Sequence, residues 1–294
     1  MPSINSYPLS TNHAILLIHC PDQGGIVAAV TDFVHKNKGN IIALEQHVDE
    51  EANHFFMRIE WDLVNFLIPA DKLDEYFRTL IGDTFNMQWQ LRFTAHRPRM
   101  VLLVSKASHC LYDILQRHST GEFNCEIPAI VSNHEQLRYI AERFGIPFYH
   151  FPITPKTKAE QEAKEADLVR ELNADFIGWA RYMQILSDDF CGQFANRIIN
   201  IHHSFLPAFK GARPYHSAHE RGVKVIGATS HYVTSDLDEG PIIAQAVEAV
   251  THRDSAKDLV RIGKDIEKRV LSRAIYLQLN HRILPFGNRT IIFS

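Results

Sequence analysis

The 294-residue chain predicts an α/β protein in two parts. A ferredoxin-like βαββαβ domain is expected over residues 1–95, and a Rossmann-like, doubly wound domain over residues 100–294. Three observations lead there. Apolar runs of strand and helix period follow the order strand, helix, strand, strand, helix, strand up to Phe93. The polar stretch Ala95-His96-Arg97-Pro98-Arg99 then breaks the pattern. Beyond it strands alternate with helices, as in a mainly parallel sheet covered on both faces.

In order, His13–Cys20 reads as a strand stopped by the turn Pro21-Asp22-Gln23-Gly24-Gly25. Ile26, Val27, Val30, Phe33 and Val34 recur at helical spacing until Gly39-Asn40. Ile41–Val48 and His54–Trp61 are two strands joined at an acidic turn. Pro69–Ile81 is a helix with Leu73, Phe77, Leu80 and Ile81 on one face, and Met87–Phe93 closes the unit. In the second part, strands are expected at Met100–Ser105, Ala129–Ser132, Pro147–His150, Asp175–Trp179 and Arg197–His202. Helices are expected near Leu111–His118, Glu135–Phe144, Lys158–Leu172 and Asp188–Phe194. Val223–Val233 and Ile242–Val250 are longer strands suited to antiparallel pairing, and a helix runs from about Ser255 to Asn280.

Composition narrows the function. Hydrophobic residues make up 45% and charged residues 22%, with a net charge of -3 and no long Lys/Arg block. Nucleic acid and anionic membranes are therefore not expected as partners. The apolar runs Ala14–Ile18 and Met100–Val104 are strand-sized, and no basic n-region leads into an apolar stretch at the N-terminus. No signal peptide or membrane span is expected, and a cytoplasmic protein is. The four cysteines form no C-x-x-C pair and are read as buried free thiols.

The densest polar cluster is Asn200-Ile201-His202-His203-Ser204, at the C-terminal end of an apolar strand where such sheets bind ligands. Alternation puts Asn200 and His202 on one face and His203 on the other. An amide donor beside an imidazole suits acyl chemistry, because one holds a developing oxyanion and the other moves a proton. A second cluster, His231 to Pro241, links the two late strands. Most simply its carboxylates form a solvated turn, but Gly240-Pro241 would fix the backbone of Asp238 and allow that carboxylate to be buried.

These segments together resemble the formyltransferase fold family. The resemblance rests on Asn200-x-His202, Ser204-Phe205-Leu206-Pro207, Gly211 to Tyr215, Gly222 to His231, and Asp238-x-Gly-Pro-Ile-Ile, and covers Met100 onward. It implies that Asn200, His202 and Asp238 are catalytic. It also implies that a reduced folate lies along Met183, Gln184, Ile185, Leu186, Gly211, Val233, Thr234 and Ser235. The N-terminal part resembles an ACT domain, a regulatory fold that often binds amino acids. There the implied effector residues are Asp22, Gly24, Gly25, Ile26, Asn40 and Ile41, where the Gly pair admits a ligand to a helix N-terminus.

An ACT-like domain ahead of a formyltransferase-like one resembles the formyltetrahydrofolate deformylases. That resemblance implies hydrolysis of 10-formyltetrahydrofolate, with the folate as substrate, no further cofactor, no metal, and self-association through the ACT-like domain. Three departures from the transferases agree. Ser105 to Cys110 contains no glycine for a phosphate cradle. Arg181 stands where the nucleotide enzyme has glycine, and its side chain would obstruct an acceptor. The chain also ends soon after its last long helix, without the extra domain of the tRNA enzyme. Trp179 replaces the Leu that the resemblance leads one to expect. The weighed alternatives are a folate-dependent formyltransferase to an amine, a non-catalytic folate or amino-acid sensor, and a metal hydrolase using His216-x-x-His219. A serine hydrolase is disfavoured, since Ser204 lies in no G-x-S-x-G elbow.

Overall fold

The computed structural model describes residues 12–208 and 214–294. Contacts divide the chain into two compact units, Met1–Arg97 with Phe293–Ser294, and Pro98–Ile292.

The first unit runs β1 (His13–Pro21), α1 (Ile26–Lys36), β2 (Asn40–Asp49), β3 (His54–Asp62), α2 (Leu73–Phe77) and β4 (Gln88–Phe93). Its strands form one antiparallel sheet in the order β2-β3-β1-β4. Alternate residues of β1 (Ala14, Leu16, Ile18 and Cys20) share a core with Ile26, Val30, Phe33 and Val34 of α1. This is period-2 burial meeting an i, i+4 helical stripe. The helix expected over Pro69–Ile81 is broken in three: a 3₁₀ turn at Ala70–Lys72, α2, and a π turn at Arg78–Gly82. The wider π turn shifts the helical phase, so Leu73 and Phe77 are buried while Leu80 is left exposed. The Trp89 ring dictates the close approach, since a Cβ at Gly82 would fall 2.6 Å from it.

In the second unit, β5 (Met100–Val104), β6 (Ile130–Ser132), β7 (Phe148–His150), β8 (Phe176–Ala180) and β9 (Ile198–His202) pair in parallel. Next to β9 come β10 (Val225–Tyr232) and β11 (Ile242–Ala249), each antiparallel to its neighbour. The sheet order is β11-β10-β9-β8-β5-β6-β7. The chain winds outward from β5 to β7 and then returns to β8, so the β5/β8 boundary is the switch point beyond whose strand ends ligands bind. Both faces of β5 are buried. Met100, Leu102 and Val104 belong to one core, Val101 and Leu103 to the other. The helices are α3 (His109–Ser119), α4 (Arg138–Arg143), α5 (Lys158–Glu171), α6 (Asp188–Gln193), α7 (Pro214–Arg221) and α8 (Ala256–Leu279). A capping box between Ser255 and Asp258 starts α8, satisfying two otherwise unpaired N–H groups. Two elements were not expected: α7, and the hairpin β12 (Ile283–Phe286) with β13 (Arg289–Ile292).

All four cysteines are buried. Among the described residues no helix is long and apolar enough to cross a membrane.

Candidate active site

Strand β9 delivers Asn200 and His202 to the sheet's C-terminal edge, and β10 pairs against them with His231 opposite Asn200. The Ser230 hydroxyl donates to the Asn200 carbonyl at 2.7 Å, which locks the two strand ends together. The segment from β10 to β11 is closed at its base by a Tyr232 N–H to Pro241 carbonyl bond of 2.9 Å. Gly240 is required there, because any side chain would overlap the Tyr232 carbonyl. Asp238 takes a left-handed φ of 59°. Its carboxylate is only 9% exposed, while Asp236 and Glu239 face solvent.

The Asp238 Oδ1 lies 3.0 Å from His202 Nδ1 and 3.7 Å from His231 Nε2. Burial pushes the Asp238 carboxyl pKa up, but hydrogen bonds and charge from His202 and His231 outweigh it and hold the group well below the usual carboxylate range. Asp238 is therefore an acceptor at neutral pH and fixes the proton of His202 on Nδ1. His202 Nε2 is then left with its lone pair, buried and without a hydrogen-bond partner. His231 Nδ1 donates to the Tyr232 carbonyl at 2.8 Å. Its Nε2 lies 3.2 Å from the Asn200 amide nitrogen, a contact that orients that amide. This supporting role of His231 escaped the sequence reading. The available signal was its place opposite the Asn200 strand, at the head of the acidic turn.

A cavity of about 490 Å³ opens on this group and is lined by Met183 to Leu186, Val233 to Ser235, Asn200, His202 and Asp238. Its size is that of a site for a drug-sized or cofactor-sized molecule. Met183, Ile185 and Leu237 project around it 53–59% exposed, an apolar rim suited to a flat aromatic ligand. Gly211 lies outside the described residues. Trp179 is buried in the cavity wall with its ring 6.1 Å from that of Tyr182. Under the loop, the Tyr182 hydroxyl donates to Glu165 of α5.

Two expectations need correction. His203 does not point away: the strand ends at His202, alternation ends with it, and the His203 ring is buried 5.1 Å from that of His202. His216 and His219 do face solvent, both exposed on α7. The effector residues Asp22, Gly24, Gly25 and Ile26 do not meet Asn40 and Ile41 within one chain. Pro21 and Asp49 flank His54 at one end of β3, whereas His13 and Asn40 flank Asp62 at the other. The length of β3, roughly 27 Å, separates the two groups. Gly25 itself caps α1 with a φ of 94° and no side-chain cap. The Ser204 hydroxyl donates to the Ala208 carbonyl at 2.8 Å, so it is engaged away from any base.

Residues 98–275 match the model of the formyl transferase family. Over 281 residues the chain is 52% identical to a formyltetrahydrofolate deformylase of Synechocystis, covering 96% of this chain and 98% of that protein. A crystal structure of a formyltetrahydrofolate deformylase from Pseudomonas syringae superposes with a TM-score of 0.94 at 44% identity, covering 98% of this chain and 96% of that one. A glycinamide ribonucleotide transformylase 1 from Symbiobacterium toebii matches 70% of this chain and 98% of its own, with a TM-score of 0.64 and 32% identity. Full-length agreement with the first two, against partial agreement with the third, places this chain in the formyltetrahydrofolate deformylase family.

Proposed function

We propose that this chain hydrolyses 10-formyltetrahydrofolate to formate and tetrahydrofolate through Asn200, His202 and Asp238. The observation that carries the mechanism is the pairing of an ionised Asp238 with His202 Nδ1, which leaves a buried, unpartnered Nε2 at the cavity. In this reading the folate lies along Met183 to Leu186 and Val233 to Ser235, with its formyl group against Asn200. Water attacks the formyl carbon as His202 Nε2 takes its proton. The Asn200 amide donates to the oxygen as negative charge develops there. The proton then passes from His202 to the departing folate nitrogen, and the C–N bond breaks. Asp238 stabilises the transient imidazolium and stays ionised. The reduced folate is the substrate, and the scheme calls on no cofactor or metal.

For the N-terminal unit we propose self-association and an amino-acid effector. A ligand touching both the Gly24-Gly25 turn and Asn40-Ile41 would have to bridge two copies of the chain. A cytoplasmic location accords with this chemistry.

The test is formate and tetrahydrofolate release by the purified protein with no acceptor added. Stoichiometric release is expected. Turnover only after an amine acceptor is supplied would replace this reading with a transferase.

A further inference from the structure

Arg181 sits at the wall of the catalytic cavity in an uneconomical state. Its backbone is left-handed, with a φ of 66°, a conformation unfavourable for a long non-glycine side chain. Two buried guanidinium nitrogens, Nε and Nη1, have no hydrogen-bond partner. Nη1 instead lies 3.5 Å from a Glu267 carboxylate oxygen. Strain and unsatisfied donors on one residue mark a position maintained for something other than stability.

Glu267 is built to hold it. The carboxylate is 1% exposed on α8. It accepts from His109 Nε2 at 2.8 Å and from the Tyr215 hydroxyl at 2.9 Å. One turn earlier, Gly263 gives the Tyr215 ring its room, because a Cβ there would collide with it. Burial pushes Glu267 up, yet the His109 bond and the Arg181 charge hold it below its ordinary value, so it remains an anion. His109, Cys110 and Glu267 also have the spacing of a metal cluster. With Arg181 alongside and His109 already bonded to the carboxylate, that spacing is accounted for by the ion-pair network.

On the far side of Arg181 is a second cavity of about 160 Å³, lined by His109, His203, Tyr215, Lys264 and Glu267. Arg181 and His203 border both cavities. We infer that Arg181, held in place by Glu267, is a specificity-determining residue that closes this side of the catalytic cavity to amine acceptors and so reserves the formyl group for water. The inference rests on the hydrolytic reading above. An amine entering from the second cavity would form a new C–N bond to the formyl carbon, and its proton would pass through His202 to the folate nitrogen as the old C–N bond breaks. Water differs in forming a C–O bond and in needing no space beyond the closed cavity.

The test supplies 10-formyltetrahydrofolate and glycinamide, a small primary amine, and measures formate and N-formylglycinamide together. The wild-type chain is expected to give formate, with N-formylglycinamide no higher than the enzyme-free background at every glycinamide concentration. In Arg181→Gly, whose backbone suits the left-handed position, N-formylglycinamide is expected to rise at least about tenfold above wild type, the scale on which a pocket wall discriminates. Glu267→Gln keeps the side-chain volume and the acceptor for Tyr215 while freeing the guanidinium, and a smaller diversion is expected. The partition ratio is the readout because a general packing defect slows both products and leaves the ratio unchanged. If Arg181→Gly does not fold, Glu267→Gln carries the same measurement. Formate alone from both variants overturns the inference and leaves the hydrolase reading standing. Folded Arg181→Gly that binds folate but makes neither product also overturns it, by placing Arg181 in the chemistry. Absence of formate from the wild type without glycinamide would instead remove the hydrolase reading itself.

Discussion

Two buried carboxylates flank the Met183–Leu186 loop, and their surroundings drive them in opposite directions. Burial pushes both up. Asp238 meets two imidazoles, whose hydrogen bonds and charge bring it well below the ordinary range. Burial, joined by the like-charged Glu162, raises Glu165 to about 7 against the lowering effect of the Tyr182 hydroxyl bond. The lesson is that desolvation alone does not decide a carboxylate's role. A protonatable partner outweighs burial and leaves an anion, whereas a neutral hydroxyl is too weak to do so and leaves a buried acid that supports a loop.

The comparison breaks most visibly where charge is removed at the Asp238 end, which the proposed mechanism uses. Asp238→Asn and His202→Ala are each expected to lower kcat by ~10²–10⁴ while the protein stays folded, as measured by formate release and circular dichroism. Next in size, Asn200→Ala removes the amide donor and is expected to cost about 10²–10³ in kcat. At the loop end the effects fall on stability. Glu165 holds a proton in the folded chain that the unfolded chain releases above its ordinary 4.5. Its contribution is therefore greatest at low pH and is lost as pH rises from about 4.5 toward 7, a fall on the order of 3 kcal/mol. Glu165→Gln, which keeps an acceptor for Tyr182, should flatten that dependence in denaturant unfolding and make the variant the more stable chain at pH 8. An unchanged slope would mean that Glu165 is already ionised in the folded state. Smallest of all, Tyr182→Phe should cost about 1–3 kcal/mol by leaving the Glu165 oxygen without its donor.

The same contrast explains what was legible in the sequence. The alternation of strands and helices was readable because burial on both faces of β5, β8 and β9 demands continuous apolar runs. Asn200 and His202 were readable because a strand end is local, and Asp238 because Gly240-Pro241 follows it. The hairpin β12–β13 carried a Gly287-Asn288 turn signal that Pro285 obscured. Helix α7 buries only Pro214, Tyr215 and Ala218, too few for a periodic signal. The Arg181 network was the least legible part. Its members His109, Arg181, Tyr215 and Glu267 come from four separate stretches, and only the fold brings them together. His231 was similarly hidden, because its partner Asn200 stands 31 residues away on the neighbouring strand.

The most direct test of the central claim compares formate release from 10-formyltetrahydrofolate by the wild-type chain and by Asp238→Asn, side by side and without acceptor. Steady stoichiometric release by the wild type is expected, with a fall of about 10² or more in a variant that still folds and binds folate. Near-normal turnover in Asp238→Asn would contradict the account, because the carboxylate would then have no part in preparing His202.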